Sequence, residues 1–188
     1  MKEGELIINE WFPTVIGFAV CPFYKDIKTD VVKYIKSFKK EHVYKEHYNE
    51  KKIKKLNDWI KEKVNEYTKL HNFQPVEPFE GWFAINQVNT HQPYHTHYGA
   101  TISSNFFVDS NFEDVPTVFK HPNNYIANGW KMSPEQSEDN NLYNHYTFLT
   151  CSYRPVEGGV VIFRSHIEHG TPMKKLKSPR ITLTYNYK

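Results

Sequence analysis

The densest chemistry in the chain is the stretch His-Gln-Pro-Tyr-His-Thr-His at residues 91–97. His95 and His97 are two apart, so an extended strand turns both imidazoles to one face, where they could share a metal ion. His91 and His95 are four apart, which would pair them on a helix. Pro93 lies between them and the flanks are β-forming, so the extended reading is preferred. A third ligand must come from elsewhere. His166 and His169, in VVIFRSHIEHG, are three apart, so a strand would turn only one of them inward. Asp109, Glu157 and Glu168 are carboxylate candidates with no telling spacing. Taken alone, the His-x-His pair reads equally as surface or hydrogen-bonding histidines.

The last segment, RITLTYN, carries a second pattern. Ile181, Leu183, Tyr185 and Tyr187 alternate with Arg180, Thr182, Thr184 and Asn186. Arginine offers a rigid two-pronged match to a carboxylate, and a hydroxyl two residues on can join it. A polar stripe headed by arginine can therefore line a binding cavity. It can equally be the solvent face of an antiparallel sheet.

The elements that must position these groups are legible in outline. A length of 188 residues suits one domain over 1–188. Aromatics at 16% and Gly at only 8 residues exclude disordered and collagenous chains. The net charge is a mild +3, and three of the 24 basic residues are arginine. Arginine dominates base readout, so nucleic acid is not expected as a partner. Cys21 and Cys151 form no Cys-x-x-Cys pair, and reduced thiols are expected. The apolar opening is interrupted by Glu3, Glu5, Glu10 and Pro13, so neither a membrane span nor a signal segment is expected, and the location expected is cytoplasmic.

Residues 1–24 read as two short strands around Trp11-Phe12-Pro13. Residues 29–71 read as two amphipathic helices. Asp30 would cap the first, with Val31, Ile35 and Phe38 on its apolar face. The second carries Ile53, Leu56, Ile60, Val64, Tyr67 and Leu70. Twelve lysines fall between residues 31 and 70, but six acidic residues are interleaved, which is the pattern of solvated helix faces. From residue 75 onward prolines punctuate the chain. Strands are expected at Gly81–Asn89, Ala100–Asp109, Tyr146–Cys151, Gly159–Phe163 and Arg180–Tyr187, as a β-sandwich or jelly roll. Residues 110–145 read as a long polar loop that could act as a lid.

Four stretches together resemble the Fe(II)/2-oxoglutarate-dependent oxygenase superfamily. Within it they are most similar to a small group of bacterial and phage 2-oxoglutarate oxygenases, related in fold to prolyl hydroxylases. The stretches are WFPTVIGFAV, GWFAINQV, HTHYGATISSNFFV, and PVEGGVVIFRSHIEHG followed by PRITLTYN. The resemblance implies a mainly β fold, a double-stranded β-helix of jelly-roll, cupin-like form, with the N-terminal helices packed on the outside.

It also implies Fe(II) held by His95, His97 and His169, with His166 in packing or support. Arg180, Thr182 and Asn186 would bind 2-oxoglutarate as cosubstrate. The implied activity is a dioxygenase that converts 2-oxoglutarate to succinate while hydroxylating an unknown small molecule or protein side chain. Two departures stand out. The superfamily pattern has a carboxylate where this chain has His97, and Arg164 replaces a proline of the group. A three-histidine cupin-like protein that does not use 2-oxoglutarate, or a non-catalytic jelly-roll binding module, are the alternatives. Cupins often place a glutamate shortly after His-x-His, and ATISSNFF offers none.

Overall fold

The computed structural model describes residues 14–122 and 149–188. Two antiparallel sheets face each other. The larger runs in the order β1 (Ile16–Val20), β8 (Gly159–Arg164), β5 (Ile102–Asp109), β10 (Arg180–Tyr187), β3 (Pro78–Asn86) and β2 (His42–Tyr44). The smaller runs β4 (Gln92–His95), β9 (His169–Thr171), β6 (Thr117–Lys120) and β7 (Thr150–Tyr153). This is the jelly-roll arrangement that the sequence implied.

The outer face of the larger sheet is covered by α1 (Tyr24–Lys36) and α2 (Lys54–Leu70). Val31 and Ile35 of α1 and Leu56, Ile60 and Val64 of α2 are buried in one core with Phe83, Phe106, Ile181 and Leu183. A second, smaller core of Phe107, Phe119, Val161, Phe163 and Ile167 fills the space between the sheets. Period-two alternation feeds both cores. Along β8, Val160 and Ile162 belong to the first, and Val161 and Phe163 to the second. Fully burying each such side chain stabilises the fold by about 1.5–3 kcal/mol.

The same alternation decides the question left open for β10. Both of its faces are buried. Ile181, Leu183, Tyr185 and Tyr187 join the helix-side core. Arg180, Thr182, Thr184 and Asn186 face the gap between the sheets, where they line a cavity. The polar stripe is therefore not a solvent face.

Several expectations need correction. Asp30 does not cap a helix. It lies exposed in the middle of α1, which begins at Tyr24 because that buried side chain donates its Oη–H to the Val108 carbonyl at 2.7 Å. Leu70 closes α2 but is 66% exposed. The short β2 was not expected. It pairs with β3 through His42↔Ala84 and Tyr44↔Trp82. Within the segment expected to be a loop, residues 117–120 form β6, which pairs with both β7 and β9. The rest of the expected lid beyond residue 122, the strand material at residues 146–148 and the first of the two N-terminal strands lie outside the described residues. Four of the twelve lysines of the helical zone are paired, as Lys45–Glu50, Lys54–Asp58, Lys61–Glu77 and Lys63–Glu66, and the others lie on the solvated faces. Both cysteines are free thiols.

Candidate metal centre and its cavity

His95 ends β4 and His169 begins β9, and the two residues are direct cross-strand partners. His97 lies two residues past the end of β4. Its N–H donates to the Ser165 carbonyl at 3.0 Å, which holds the turn against the start of the loop leading to β9. Tyr94, Thr96 and Tyr98 are exposed, while His97 is buried and His95 half-buried, so the period-two reading of His-x-His holds through the turn. One nitrogen from each of His95, His97 and His169 lies within 4.8 Å of the others.

The hydrogen bonds of these rings fix their tautomers. Nδ1–H of His95 donates to the Pro93 carbonyl at 2.9 Å, and Nδ1–H of His169 to the Ile167 carbonyl at 3.0 Å. Carbonyls only accept, so the proton sits on Nδ1 and the Nε2 lone pair is left bare. Nδ1–H of His97 donates to Asn186 Oδ1 at 2.7 Å, with Ser103 Oγ also at 2.7 Å. Asn186 Oδ1 accepts from Ser103 as well, and its Nδ2 donates to Glu80.

The Nε2 atoms of His95 and His97 face each other at 3.2 Å with no proton to bridge them. Two nitrogens about 2.1 Å from one ion, at right angles, would sit about 3 Å apart. Burial, the largest influence on both rings, pushes the His97 pKa down to about 4 and that of His169 down to about 3. Both rings are thus neutral ligands at pH 7. Three converging imidazole lone pairs fit a first-row transition ion such as iron.

The remaining histidine and carboxylate candidates fall elsewhere. His166 is exposed, which corrects its expected packing role, and His91 is exposed outside β4. Asp109 and Glu157 share Lys28, and Glu168 pairs with Lys120. None of the three joins the histidines.

The histidines open into a cavity of about 610 Å³ that reaches Arg180. Arg180 is 3% exposed. Its Nη2 donates to Thr117 Oγ1 at 3.0 Å and its Nη1 more loosely to Asn86 Oδ1 at 3.4 Å. Its Cζ lies 5.2 Å from the centroid of the Phe107 ring, and its Nε–H has no partner. Burial pulls its pKa down to about 10, with Asp114 opposing, so it is cationic at neutral pH. Asp114 is itself buried in an ion pair with Lys174. Two buried cations therefore share one carboxylate, and the guanidinium keeps N–H groups without a partner, its Nε–H among them. A buried charge in this condition fits a bound carboxylate. Thr182 lines the same cavity, as the R-x-T spacing implied.

Asn186 departs from its expected part in cosubstrate binding. Its amide oxygen is committed to His97 and Ser103, and its amide nitrogen to Glu80. Sequence reasoning missed Asn86, Thr117, Ser103, Asp114 and Lys174. Asn86 and Ser103 lay inside motif stretches, so a signal existed for them. Thr117 sat in an apparent loop with no signal at all.

The family model described as "Putative 2OG-Fe(II) oxygenase" matches residues 80–186. No curated protein matches the chain. Solved structures do share the fold. AviO1 from Streptomyces viridochromogenes Tue57 superposes with a TM-score of 0.61 at 12% identity, covering 93% of this chain and 90% of that one. HygX from Streptomyces hygroscopicus, solved with nickel, 2-oxoglutarate and hygromycin B bound, gives 0.61 at 12% identity, covering 93% and 82%. The non-heme alpha ketoglutarate dependent epimerase SnoN from nogalamycin biosynthesis gives 0.64 at 9%, covering 91% and 78%. Among the described residues no helix is long and apolar enough to cross a membrane.

Proposed function

The chain belongs to the family of 2OG-Fe(II) oxygenases whose model spans β3 to β10, and from that premise we propose that it oxidises a small-molecule substrate, most simply by hydroxylation, acting as one domain over residues 1–188. Membership makes it an Fe(II)- and 2-oxoglutarate-dependent enzyme. When bound, iron and 2-oxoglutarate supply the oxidising chemistry: oxygen-dependent decarboxylation to succinate and carbon dioxide, coupled to oxidation of the substrate.

The protein's residues then have separable tasks. His95, His97 and His169 hold the iron through Nε2. Asn186 and Ser103 keep the proton of His97 on Nδ1 and so present its other nitrogen to the metal. Phe163 and Phe119 pack against the His169 ring, at centroid distances of 4.5 and 5.4 Å, and exclude water from that side. Arg180 takes the far carboxylate of 2-oxoglutarate through guanidinium N–H groups left without a partner, with Thr182 beside it. Thr117 and Asn86 hold the guanidinium beside the Phe107 ring.

The observation that carries this reading is the pairing, in one cavity, of three bare imidazole lone pairs with a buried arginine that has an unmet donor. A cupin-like metalloprotein or a binding module without 2-oxoglutarate gives that arginine no task. HygX has been solved with both 2-oxoglutarate and hygromycin B, and a cavity of about 610 Å³ here has room for a small molecule beside the cosubstrate. The test is succinate formation from 2-oxoglutarate with Fe(II) and oxygen. It is expected in the wild type and abolished in His169→Ala; undiminished turnover in that variant would overturn the ligand assignment.

A further inference from the structure

The cavity is electrically polarised. In the β3–β10 register, Asn86 pairs with Arg180 at one end and Glu80 pairs with Asn186 at the other. Arg180 is the one cation among the described residues that line the cavity, although the chain has 21 lysines among its 24 basic residues. Glu80, a lining carboxylate, stands at the opposite end, while Glu41 is exposed and its carbonyl accepts from the Ile85 N–H at 2.7 Å, nearer the Arg180 end.

Glu80 is unusual among the described carboxylates. Each of the others that is not fully exposed has a lysine within 4.0 Å: Glu50 has Lys45, Asp109 and Glu157 have Lys28, Asp114 has Lys174, and Glu168 has Lys120. Glu80 is half-buried and has no basic partner among the described residues. One of its oxygens accepts from the neutral amide of Asn186 at 2.7 Å, and the other is uncommitted. A half-buried anion left in this state is short of a counter-ion.

Aromatic rings stand beside it without a cation of their own. Tyr44 and Trp82 are cross-strand partners with ring centroids 5.3 Å apart, and His42 meets Tyr44 edge-on at 4.7 Å. Tyr44 is 62% exposed at the cavity mouth. Lysines that do cover rings here cover Phe23, Phe38, Phe79 and Tyr94. An ammonium group is stabilised by such ring faces and by an adjacent carboxylate.

We propose that the substrate carries a protonated amine, which docks against Glu80 beside the Tyr44 and Trp82 rings. This rests on the oxygenase reading for the identity of the cavity. It adds to that reading the charge class of the substrate and the residues that select it.

The test uses fluorine NMR with para-fluorobenzylammonium and its neutral counterpart para-fluorobenzyl alcohol, titrated into the full chain with and without Zn(II) and 2-oxoglutarate. The amine is expected to bind saturably and about tenfold more tightly than the alcohol. Glu80→Gln keeps an oxygen for Asn186 and should remove most of that preference. Tyr44→Ala, at an exposed position, should weaken the amine severalfold. Equal binding of amine and alcohol, or a preference that survives both substitutions, overturns the proposal. A direct titration of 2-oxoglutarate into the Zn(II)-loaded protein separates the two readings. Cosubstrate binding without amine preference defeats the substrate class alone, whereas amine preference without cosubstrate binding supports the amine site and defeats the oxygenase reading.

Discussion

Oδ1 of Asn186, at the far end of the last strand, lies 2.7 Å from Nδ1 of His97 and fixes which nitrogen of that ring is free. The two residues are 89 apart in sequence, yet the β10–β5 register brings Asn186 opposite Ser103, the third member of the same network.

Asn186→Leu should therefore weaken Fe(II) binding by roughly 10–100-fold, the usual effect of losing a residue that orients a metal-bound imidazole. Ser103→Ala should cost less, because Asn186 still accepts the proton. Anaerobic calorimetry with Fe(II) reads both. Equal, small effects would mean that His97 is oriented by packing against Trp82 and Phe163 instead.

Gly170 sets the approach of the two strands that carry His95 and His169. A Cβ there would stand 2.6 Å from the Gln92 carbonyl and 3.1 Å from the Tyr94 nitrogen, both backbone atoms of β4. Gly170→Ala should push β4 from β9 and lower metal affinity at least tenfold, while far-ultraviolet circular dichroism stays near wild type. Unchanged affinity would show that β4 can shift without moving His95.

How far the sequence announced all this depends on the element. Strands β8 and β10 carry sustained alternation, which made Arg180 visible at the head of a polar stripe, whereas the choice of His169 over His166 came from the family resemblance alone. The smaller sheet carries no such alternation. Its β9 has three residues and its β4 and β6 four each, too few to show a period. Thr117, which fixes the Arg180 guanidinium, sits on one of them. The helix start at Tyr24 was also hidden, because what holds it is the distant Val108 carbonyl rather than a local cap. Asn186 was visible as part of a polar stripe, but only the register with Ser103 and Glu80 separates a residue that orients a ligand from one that would bind cosubstrate.

Lys174 and Asp114 form a fully buried ion pair beside Arg180. Lys174→Met would leave the carboxylate without its partner, and urea unfolding should show a loss of about 3–5 kcal/mol. Adding Asp114→Asn should restore part of it. A loss under about 1 kcal/mol would mean that Arg180 or water takes over the carboxylate.

Stability should also fall with acid through His47. This buried ring donates Nε2–H to the Val43 carbonyl and accepts from Tyr34 Oη at Nδ1, so it is satisfied when neutral. Burial lowers its pKa from the ordinary value. The unfolded chain takes up a proton near pH 6.5 while the folded one does not. The stabilisation is thus complete above about pH 6.5 and lost as pH falls toward the folded pKa, by up to about 1.4 kcal/mol per pH unit. Unfolding free energies of the wild type and His47→Gln between about pH 7.5 and 5.5 should differ in slope by up to one proton. Parallel slopes would show that His47 is protonated in the fold.

The most direct test is anaerobic titration of the protein with Fe(II) and 2-oxoglutarate, followed by the visible metal-to-ligand charge-transfer absorption. The wild type should develop the band, His169→Ala should lose it with the iron, and Arg180→Ala should require at least about 30-fold more 2-oxoglutarate to reach it. Iron binding without the band in the wild type, or a band indifferent to Arg180, would contradict the assignment of this cavity as the iron and 2-oxoglutarate site.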